Sequence, residues 1–153
     1  MKTFFIVSDT HGHVAPLEKL KGIMQESDYI IHLGDYFSDM RPFEREFYKK
    51  LYAVKGNCDG GGADEILDVS GYKILLTHGD RYGVKSSLYK LLLRAKELGV
   101  NAVFYGHTHV AKIEEIDGIT FINPGNMQSF IEKTYCYAVL YNGKLTAKIV
   151  PVN

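Results

Sequence analysis

The sequence predicts an α/β sandwich, in which two mixed β-sheets lie face to face and helices cover their outer surfaces. Two observations predict this fold: short apolar runs alternate with amphipathic segments in the first part of the chain, and strand pairs joined by tight-turn signals follow. A chain of 153 residues is long enough for one such unit, so we expect a single domain over 1–153.

The first third of the chain is predicted to form alternating strands and helices. Apolar runs at 4–7, 30–33 and 52–55 are typical of strands that are covered on both faces. Residues 16–24 place their leucine, isoleucine and methionine side chains on one helical face, and apolar residues recur every four positions over 43–51. The order β-α-β-α-β implies right-handed crossovers and a parallel sheet.

The rest of the chain is predicted to contain one helix, over about 85–98, and mostly paired strands. The strands are, in order, 65–70, 72–77, 102–105, 112–116, 119–122, 135–141 and 144–150. Asp117-Gly118 and Asn142-Gly143 are strong signals for two-residue hairpin turns.

Composition and charge give no indication of a nucleic-acid or membrane partner. Lys+Arg and Asp+Glu both number 18, so the net charge is zero and nothing indicates binding to nucleic acid, which depends on basic side chains. Two cysteines do not form a disulfide framework, and no apolar stretch approaches the ~20 residues of a membrane span. We therefore expect a cytoplasmic protein with no membrane partner, and self-association as a homo-oligomer is left open.

Five strand ends carry side chains of the kind that bind divalent metal ions. They are Asp9 with His11, Asp35, Asn57, His78, and His107 with His109. Binding sites in α/β folds collect beyond the carboxyl ends of the strands, and the glycines beside these residues allow sharp turns there. Singly, each residue is explained by a helix cap, a turn or an ordinary polar contact. Together, five such coincidences favour one shared site.

The mixture of ligand types predicts two adjacent ions and hydrolysis of a phosphate ester. Imidazole, carboxylate and amide groups suit Mn²⁺, Fe²⁺, Zn²⁺ or Ni²⁺, and no thiolate cluster indicates structural zinc. Two divalent ions bring four positive charges, of which Asp9, Asp35 and a bridging hydroxide cancel three, so one remains to attract phosphate. The hydroxide is the expected nucleophile, and no catalytic side chain is identified as one.

Five motifs resemble those of the calcineurin-like metallophosphoesterases in order and approximate spacing, and the chain is most similar to the small single-domain bacterial and archaeal phosphodiesterases. The motifs are S-D-T-H-G from Ser8, H-L-G-D from His32, K-G-N-C-D from Lys55, T-H-G from Thr77 and Y-G-H-T-H from Tyr105. The resemblance implies the metallophosphoesterase fold, a four-layer α/β/β/α sandwich of two mixed sheets flanked by helices. It also implies a small phosphate-ester substrate.

The resemblance further implies how the ligands divide between two divalent ions. Mn²⁺ is the first expectation, with Ni²⁺, Zn²⁺, Fe²⁺ and Mg²⁺ as alternatives. One ion would take Asp9, His11, Asp35 and His109. The other would take Asp35, Asn57, His78 and His107, with Asp35 bridging. Asn57 would also contact the phosphoryl oxygens of the substrate.

The chain departs from the family pattern at three positions. Cys58 stands where many members carry a histidine thought to protonate the leaving group, which predicts a preference for diesters over alkyl monoesters; the alternative is a small buried residue without a chemical role. Asp80 replaces a histidine of the frequent H-G-H motif and is not taken as a ligand, and Asn126 replaces a serine. Asp59 and His13 are candidates for assisting the leaving group.

Two further residues and two alternative classes of protein are also considered. His32 lies inside an apolar strand and is expected to be hydrogen-bonded in the core, and Arg81 is expected to be a solvated surface residue. Within the superfamily, a retromer subunit uses this fold as a protein-binding scaffold with a degraded metal site. All seven ligand positions are intact here, which favours a hydrolase. A metallo-β-lactamase type of enzyme is disfavoured because its H-x-H-x-D-H motif is absent.

Overall fold

The computed structural model describes residues 1–128 and 132–152, and within them ten strands form two five-stranded sheets. In chain order the strands are β1 (Lys2–Val7), β2 (Tyr29–His32), β3 (Leu51–Ala53), β4 (Glu65–Val69), β5 (Tyr72–Leu76), β6 (Ala102–Phe104), β7 (Lys112–Ile116), β8 (Ile119–Asn123), β9 (Lys133–Tyr141) and β10 (Lys144–Val152). The first sheet has the order β10-β9-β1-β2-β3, and the second has the order β4-β5-β6-β8-β7.

The centre of each sheet is parallel, and the alternation of strands and helices predicted this for the first sheet. β1, β2 and β3 pair in parallel in the first sheet, and β5, β6 and β8 do so in the second. The predicted hairpins are confirmed as β7–β8 and β9–β10. Both residues of each turn have positive φ, 51° and 79° at Asp117-Gly118 and 50° and 72° at Asn142-Gly143, as a type I′ turn requires.

In the described part of the chain four α-helices flank the sheets: α1 (Val14–Glu18), α2 (Lys21–Glu26), α3 (Arg41–Phe47) and α4 (Tyr89–Leu98). The prediction of one continuous helix over 16–24 is wrong. The Leu20 N–H donates to the Leu17 carbonyl three residues back, which tightens the chain and separates α1 from α2. Leu51 was predicted to continue the face of α3 but begins β3, because it pairs with Ile30 of β2.

The core lies in three layers of side chains that alternate along the strands. Phe4 and Ile6 of β1 face the second sheet, where they pack with Phe104 and other residues of β5, β6 and β8. Phe5 and Val7 point the other way, onto α1, α2 and α3, and α4 packs on the outside of the second sheet. The four-layer α/β/β/α sandwich is therefore confirmed. No helix of the described residues is long and apolar enough to cross a membrane.

This topology brings the predicted strand ends to one edge of the sandwich. Val7 lies opposite His32, and His32 lies opposite Ala53, so the loops after β1, β2 and β3 leave the first sheet side by side. In the second sheet Leu76 lies opposite Phe104, so the loops after β5 and β6 are also neighbours. These five loops carry the seven predicted ligands.

Candidate metal centre

Six of the seven predicted ligands form two groups that share Asp35. The first group contains Asp9, His11, Asp35 and His109, and the second contains Asp35, His78 and His107. Within each group the candidate ligand atoms lie within 4.8 Å of one another. Residues far apart in sequence are thus brought into direct contact, such as Asp9 and His107, which are 98 positions apart.

The first group holds two buried polar atoms that the protein itself does not satisfy. His11 Nε2 lies 3.7 Å from Asp9 Oδ1 and 3.6 Å from Asp35 Oδ2, and His109 Nε2 lies 3.1 Å from Asp9 Oδ1 but outside hydrogen-bonding geometry. Neither Asp9 Oδ1 nor His11 Nε2 has a hydrogen-bond partner among the described residues. Burying an unpaired carboxylate oxygen is costly, and a cation between these atoms removes that cost. The residues therefore fit a divalent ion.

The second group has a histidine whose tautomer suits metal binding. His78 Nδ1 lies 2.8 Å from the Leu33 carbonyl oxygen, which can only accept, so Nδ1 carries the proton. The lone pair of His78 Nε2 then points into the site, 3.3 Å from Asp35 Oδ2 and 3.1 Å from His107 Nδ1. A backbone carbonyl that fixes the ring in this way is the usual support of a metal-binding histidine.

The ligand loops adopt backbone conformations that L-residues rarely use. Five of the seven predicted ligands have φ in the left-handed region: Asp9 (55°), His11 (47°), Asp35 (60°), His107 (71°) and His109 (64°). Each such residue costs on the order of 1 kcal/mol, and such residues cluster at active sites and ligand clamps. The strain is therefore found in the loops that carry both ligand groups.

Backbone amides and a hydroxyl orient the two carboxylates. Ser8 Oγ donates to Asp9 Oδ2 at 2.5 Å, and the His107 N–H donates to the same oxygen at 3.1 Å. The Cys58 N–H donates to Asp35 Oδ1 at 2.9 Å, which leaves Oδ2 facing the histidines. Burial acts to raise the pKa of Asp35, but the Cys58 amide and the neighbouring His78 outweigh it, so the pKa is lowered. Burial and the nearby His78 lower the pKa of His107, which favours the neutral ring that binds metal.

A buried hydrogen-bond chain supports the loop between Asp9 and His11. His32 Nδ1 accepts from the Gly34 N–H at 3.0 Å, so His32 Nε2 donates to Thr10 Oγ1 at 2.9 Å. Thr10 Oγ1 donates in turn to Asp39 Oδ2 at 2.6 Å, and the Gly12 N–H donates to the same oxygen. Burial lowers the pKa of His32 to about 4, so the ring is neutral. The prediction that His32 is a core hydrogen-bonding residue is confirmed.

Two glycines are required by close approach at the centre. A Cβ at Gly106 would overlap Ser8 Oγ and come within 2.8 Å of Asp9 Oδ2. A Cβ at Gly56 would overlap Asp35 Oδ1 and lie 2.9 Å from His78 Nδ1. Glycine at Gly106 lets the second sheet approach the Asp9 carboxylate. Glycine at Gly56 lets the loop after β3 approach the Asp35 carboxylate.

Asn57 and Cys58 begin a short 3-10 turn, which starts after the three residues that follow β3. Both side chains are exposed, and the turn is tied to the centre through the Cys58 N–H on Asp35. The interpretation of Cys58 as a small buried residue is therefore wrong. Desolvation and the Asp35 carboxylate raise the pKa of the Cys58 thiol, so the thiol stays protonated near neutral pH.

The structure does not favour the two candidates for assisting the leaving group. The Asp59 carboxylate accepts from the backbone N–H groups of Asp35, Tyr36 and Gly56 at 2.8 to 2.9 Å, so it holds two loops together. His13 is exposed, and its Nδ1 lies 3.1 Å from the Thr10 carbonyl oxygen. Neither side chain belongs to the two ligand groups.

Two amide side chains near the centre, Asn126 and Gln128, were assigned no role by the sequence reasoning. Asn126 Nδ2 donates to the His109 carbonyl oxygen at 2.9 Å, and the Gln128 amide lies 2.9 Å from His109 Nδ1. Together they hold the backbone and the ring of this ligand. Both residues come just after the turn Asn123-Pro124-Gly125, and this run of polar residues after a turn was the available signal.

Comparison with known proteins decides the family. Residues 1–143 match the calcineurin-like phosphoesterase superfamily domain. The chain belongs to this superfamily. Among curated members, it is 39% identical over 140 residues to the probable metallophosphoesterase YsnB of Bacillus subtilis, covering 88% of this chain and 81% of that protein. It is 29% identical over 152 residues to a phosphodiesterase of Methanocaldococcus jannaschii, covering 82% and 84%.

Solved structures of calcineurin-like phosphoesterases and related proteins share the fold. A crystal structure of a Streptococcus pneumoniae protein described as a predicted phosphoesterase has a TM-score of 0.82 at 26% identity, covering 98% of this chain and 89% of that one. Vps29 of Entamoeba histolytica has a TM-score of 0.76 at 20% identity, covering 99% of both chains, and shows the fold alone. The predicted superfamily, its fold, its dependence on divalent metal ions and its enzyme class, a hydrolase of phosphoric ester bonds, are thereby confirmed.

Proposed function

We infer that this chain is a metal-dependent phosphoesterase, and we propose that it acts on phosphodiesters through a binuclear metal centre. The observation that carries the proposal is the pair of ligand groups joined by Asp35. The unpartnered Asp9 Oδ1 and His11 Nε2 support it, because these atoms are buried and face one another without a hydrogen bond.

The proposed ligand sets follow the two groups. One ion would be held by Asp9, His11, Asp35 and His109. The second would be held by Asp35, His78 and His107. Asn57, in the 3-10 turn that follows β3, would complete the second site. We propose Mn²⁺ as the native ion, with Ni²⁺, Zn²⁺, Fe²⁺ or Mg²⁺ as alternatives, because a mixed set of carboxylate and imidazole ligands accommodates these ions.

Residues of the chain contribute to hydrolysis of the ester through their positions and charges. When bound, the two ions supply a hydroxide nucleophile at neutral pH and positive charge for the phosphoryl oxygens. Asp35 and Asp9 cancel only part of that charge, so the site attracts an anionic ester. The exposed Asn57 side chain donates a hydrogen bond to a phosphoryl oxygen as its charge grows. We propose small phosphate esters as substrates, a cytoplasmic setting and a single domain over 1–153.

A scaffold function like that of a retromer subunit is the alternative, because Vps29 has the same fold. The intact set of seven ligand positions favours an enzyme over a scaffold.

A chelation experiment tests the proposed function. Protein stripped with a chelator is expected to lose hydrolysis of bis-p-nitrophenyl phosphate and to regain it on addition of Mn²⁺, with weaker recovery for the other ions. Activity on p-nitrophenyl phosphate, assayed in parallel, is expected to be lower. Protein that binds metal yet hydrolyses neither ester would support the scaffold alternative.

Cys58→His is expected to raise activity on alkyl monoesters while changing diester hydrolysis little. The thiol of Cys58 is a poor proton donor to an alkoxide, whereas a histidine there contributes general-acid catalysis, typically at least ~10²-fold. The ratio of kcat/KM on glycerol phosphate to that on bis-p-nitrophenyl phosphate measures the effect. Cys58→Ser, which changes the thiol without adding an imidazole, is the control. An unchanged ratio in Cys58→His would contradict this role.

A further inference from the structure

We propose that Tyr36 is a specificity-determining residue that stacks on an aromatic ring of the substrate, so that aryl or nucleoside phosphodiesters are preferred. The inference rests on the proposed function and adds the chemical class of the ester group. It is carried by the position of the ring, by the strain in its backbone and by its exposure.

The Tyr36 ring lies against the first ligand group. Tyr36 follows Asp35 directly, and its ring centroid is 5.2 Å from that of His11, with the two planes tilted by 44°. The His11 ring in turn lies 5.3 Å from the His109 ring. The Tyr36 ring therefore lies at the edge of the site. There it can contact the ester group of a phosphate bound at this centre.

The backbone of Tyr36 is held in a conformation that a bulky residue disfavours. Its φ and ψ are 68° and 45°, in the left-handed region that glycine and asparagine adopt more readily. The Asp59 carboxylate accepts from the Tyr36 N–H at 2.8 Å, and the Tyr36 carbonyl accepts from the Asp39 N–H at 2.9 Å. These hydrogen bonds fix the backbone on both sides of Tyr36. A smaller residue at this position would be less strained. Strain of this kind at a binding site indicates a use for the side chain.

The ring has little role in the core. It is 43% exposed, and none of the three hydrophobic clusters of the described residues includes it. One region of the ring rests against His11, and part of the residue is open to solvent. A neutral aromatic surface beside a phosphate-attracting centre suits a neutral aromatic ring, because stacking of a base on an aromatic side chain is favourable with any base.

Binding of two monoester probes to the Mn²⁺-loaded protein tests the proposal. Isothermal titration calorimetry with phenyl phosphate and methyl phosphate compares two ligands that differ in the ring. We expect phenyl phosphate to bind the native protein about tenfold more tightly. Tyr36→Asn, which suits the left-handed backbone and removes the ring, is expected to bring the ratio close to one. Tyr36→Phe is expected to keep it.

A second exposed tyrosine provides the matched control. Tyr48 is 68% exposed, and Tyr48→Asn is expected to leave the ratio of affinities as in the native protein. If Tyr36→Asn does not fold, Tyr36→Gly makes the same test, because glycine also accepts this backbone conformation. A native ratio near one, or a Tyr36→Asn ratio equal to the native one, would overturn the stacking role. Failure to bind either phosphate, together with no hydrolysis, would instead overturn the proposed function.

Discussion

Asp35→Asn is expected to reduce kcat/KM on bis-p-nitrophenyl phosphate by about 10³-fold or more and to lower the metal content of the protein. Asp35 is the residue common to both ligand groups and is only 3% exposed. Asparagine keeps an oxygen that can accept from the Cys58 N–H, but it removes the negative charge that faces His11 and His78. Loss of one electrostatic contact at a reacting centre commonly costs ~10²–10³-fold, and here two ion sites are affected together.

Asp117→Asn is the matched control for this substitution. Asp117 also has a left-handed φ, 51° against 60° for Asp35, but it lies in the β7–β8 turn and pairs with Lys96 at the surface. Its replacement is expected to leave activity and metal content unchanged. An Asp35→Asn protein that retains more than about a tenth of native kcat/KM and full metal content would show that the carboxylate is not shared between two ions.

The single substitution Gly106→Ala is expected both to destabilise the protein and to weaken metal binding. The added Cβ would overlap Ser8 Oγ and crowd Asp9 Oδ2, and both residues are fully buried, so neither can move aside without shifting the backbone. Overpacking of a close contact of this kind costs about 1–3 kcal/mol in the free energy of unfolding. Displacement of the Asp9 carboxylate should also weaken Mn²⁺ binding at least about tenfold.

Urea denaturation of the metal-free protein measures the first effect, and calorimetric titration with Mn²⁺ measures the second. Gly22→Ala is the control, because a Cβ at Gly22 in α2 meets nothing within 4 Å and alanine favours the helix. It is expected to be neutral or slightly stabilising. Native stability and native Mn²⁺ affinity in Gly106→Ala would contradict the requirement for close approach at this position.

The strand ends were predictable because their signals are local. Each ligand lies in a short polar segment after an apolar run, next to a glycine, and the parallel order of β1, β2 and β3 follows from the alternation of strands with helices. The carboxyl ends of parallel strands meet at one edge of a sheet, so the ligands that follow β1, β2 and β3 are expected to lie together. The expectation that the five strand ends share one site agrees with the proximity of His78 to Asp9 and Asp35.

Features that depend on long-range packing were not predictable. The separation of α1 from α2 at Leu20 arises where the chain bends to bury Leu17 and Met24 on the first sheet. The contact of Gln128 with His109 joins residues 19 positions apart, and no periodic pattern indicates it. The exposure of Cys58 likewise depends on how the 3-10 turn after β3 sits on Asp35. In each case tertiary contacts decide an arrangement that local sequence leaves open.

The number of ions that the protein binds tests the binuclear centre most directly. Chelator-treated protein, titrated with Mn²⁺ and assayed by calorimetry and by elemental analysis after dialysis, is expected to bind two ions per chain. Asp35→Asn is expected to bind one at most, because both ligand groups include Asp35. Two ions in the native protein and a loss in the variant are the predicted result. A native protein that binds no transition metal, or only one ion at saturation, would contradict the account.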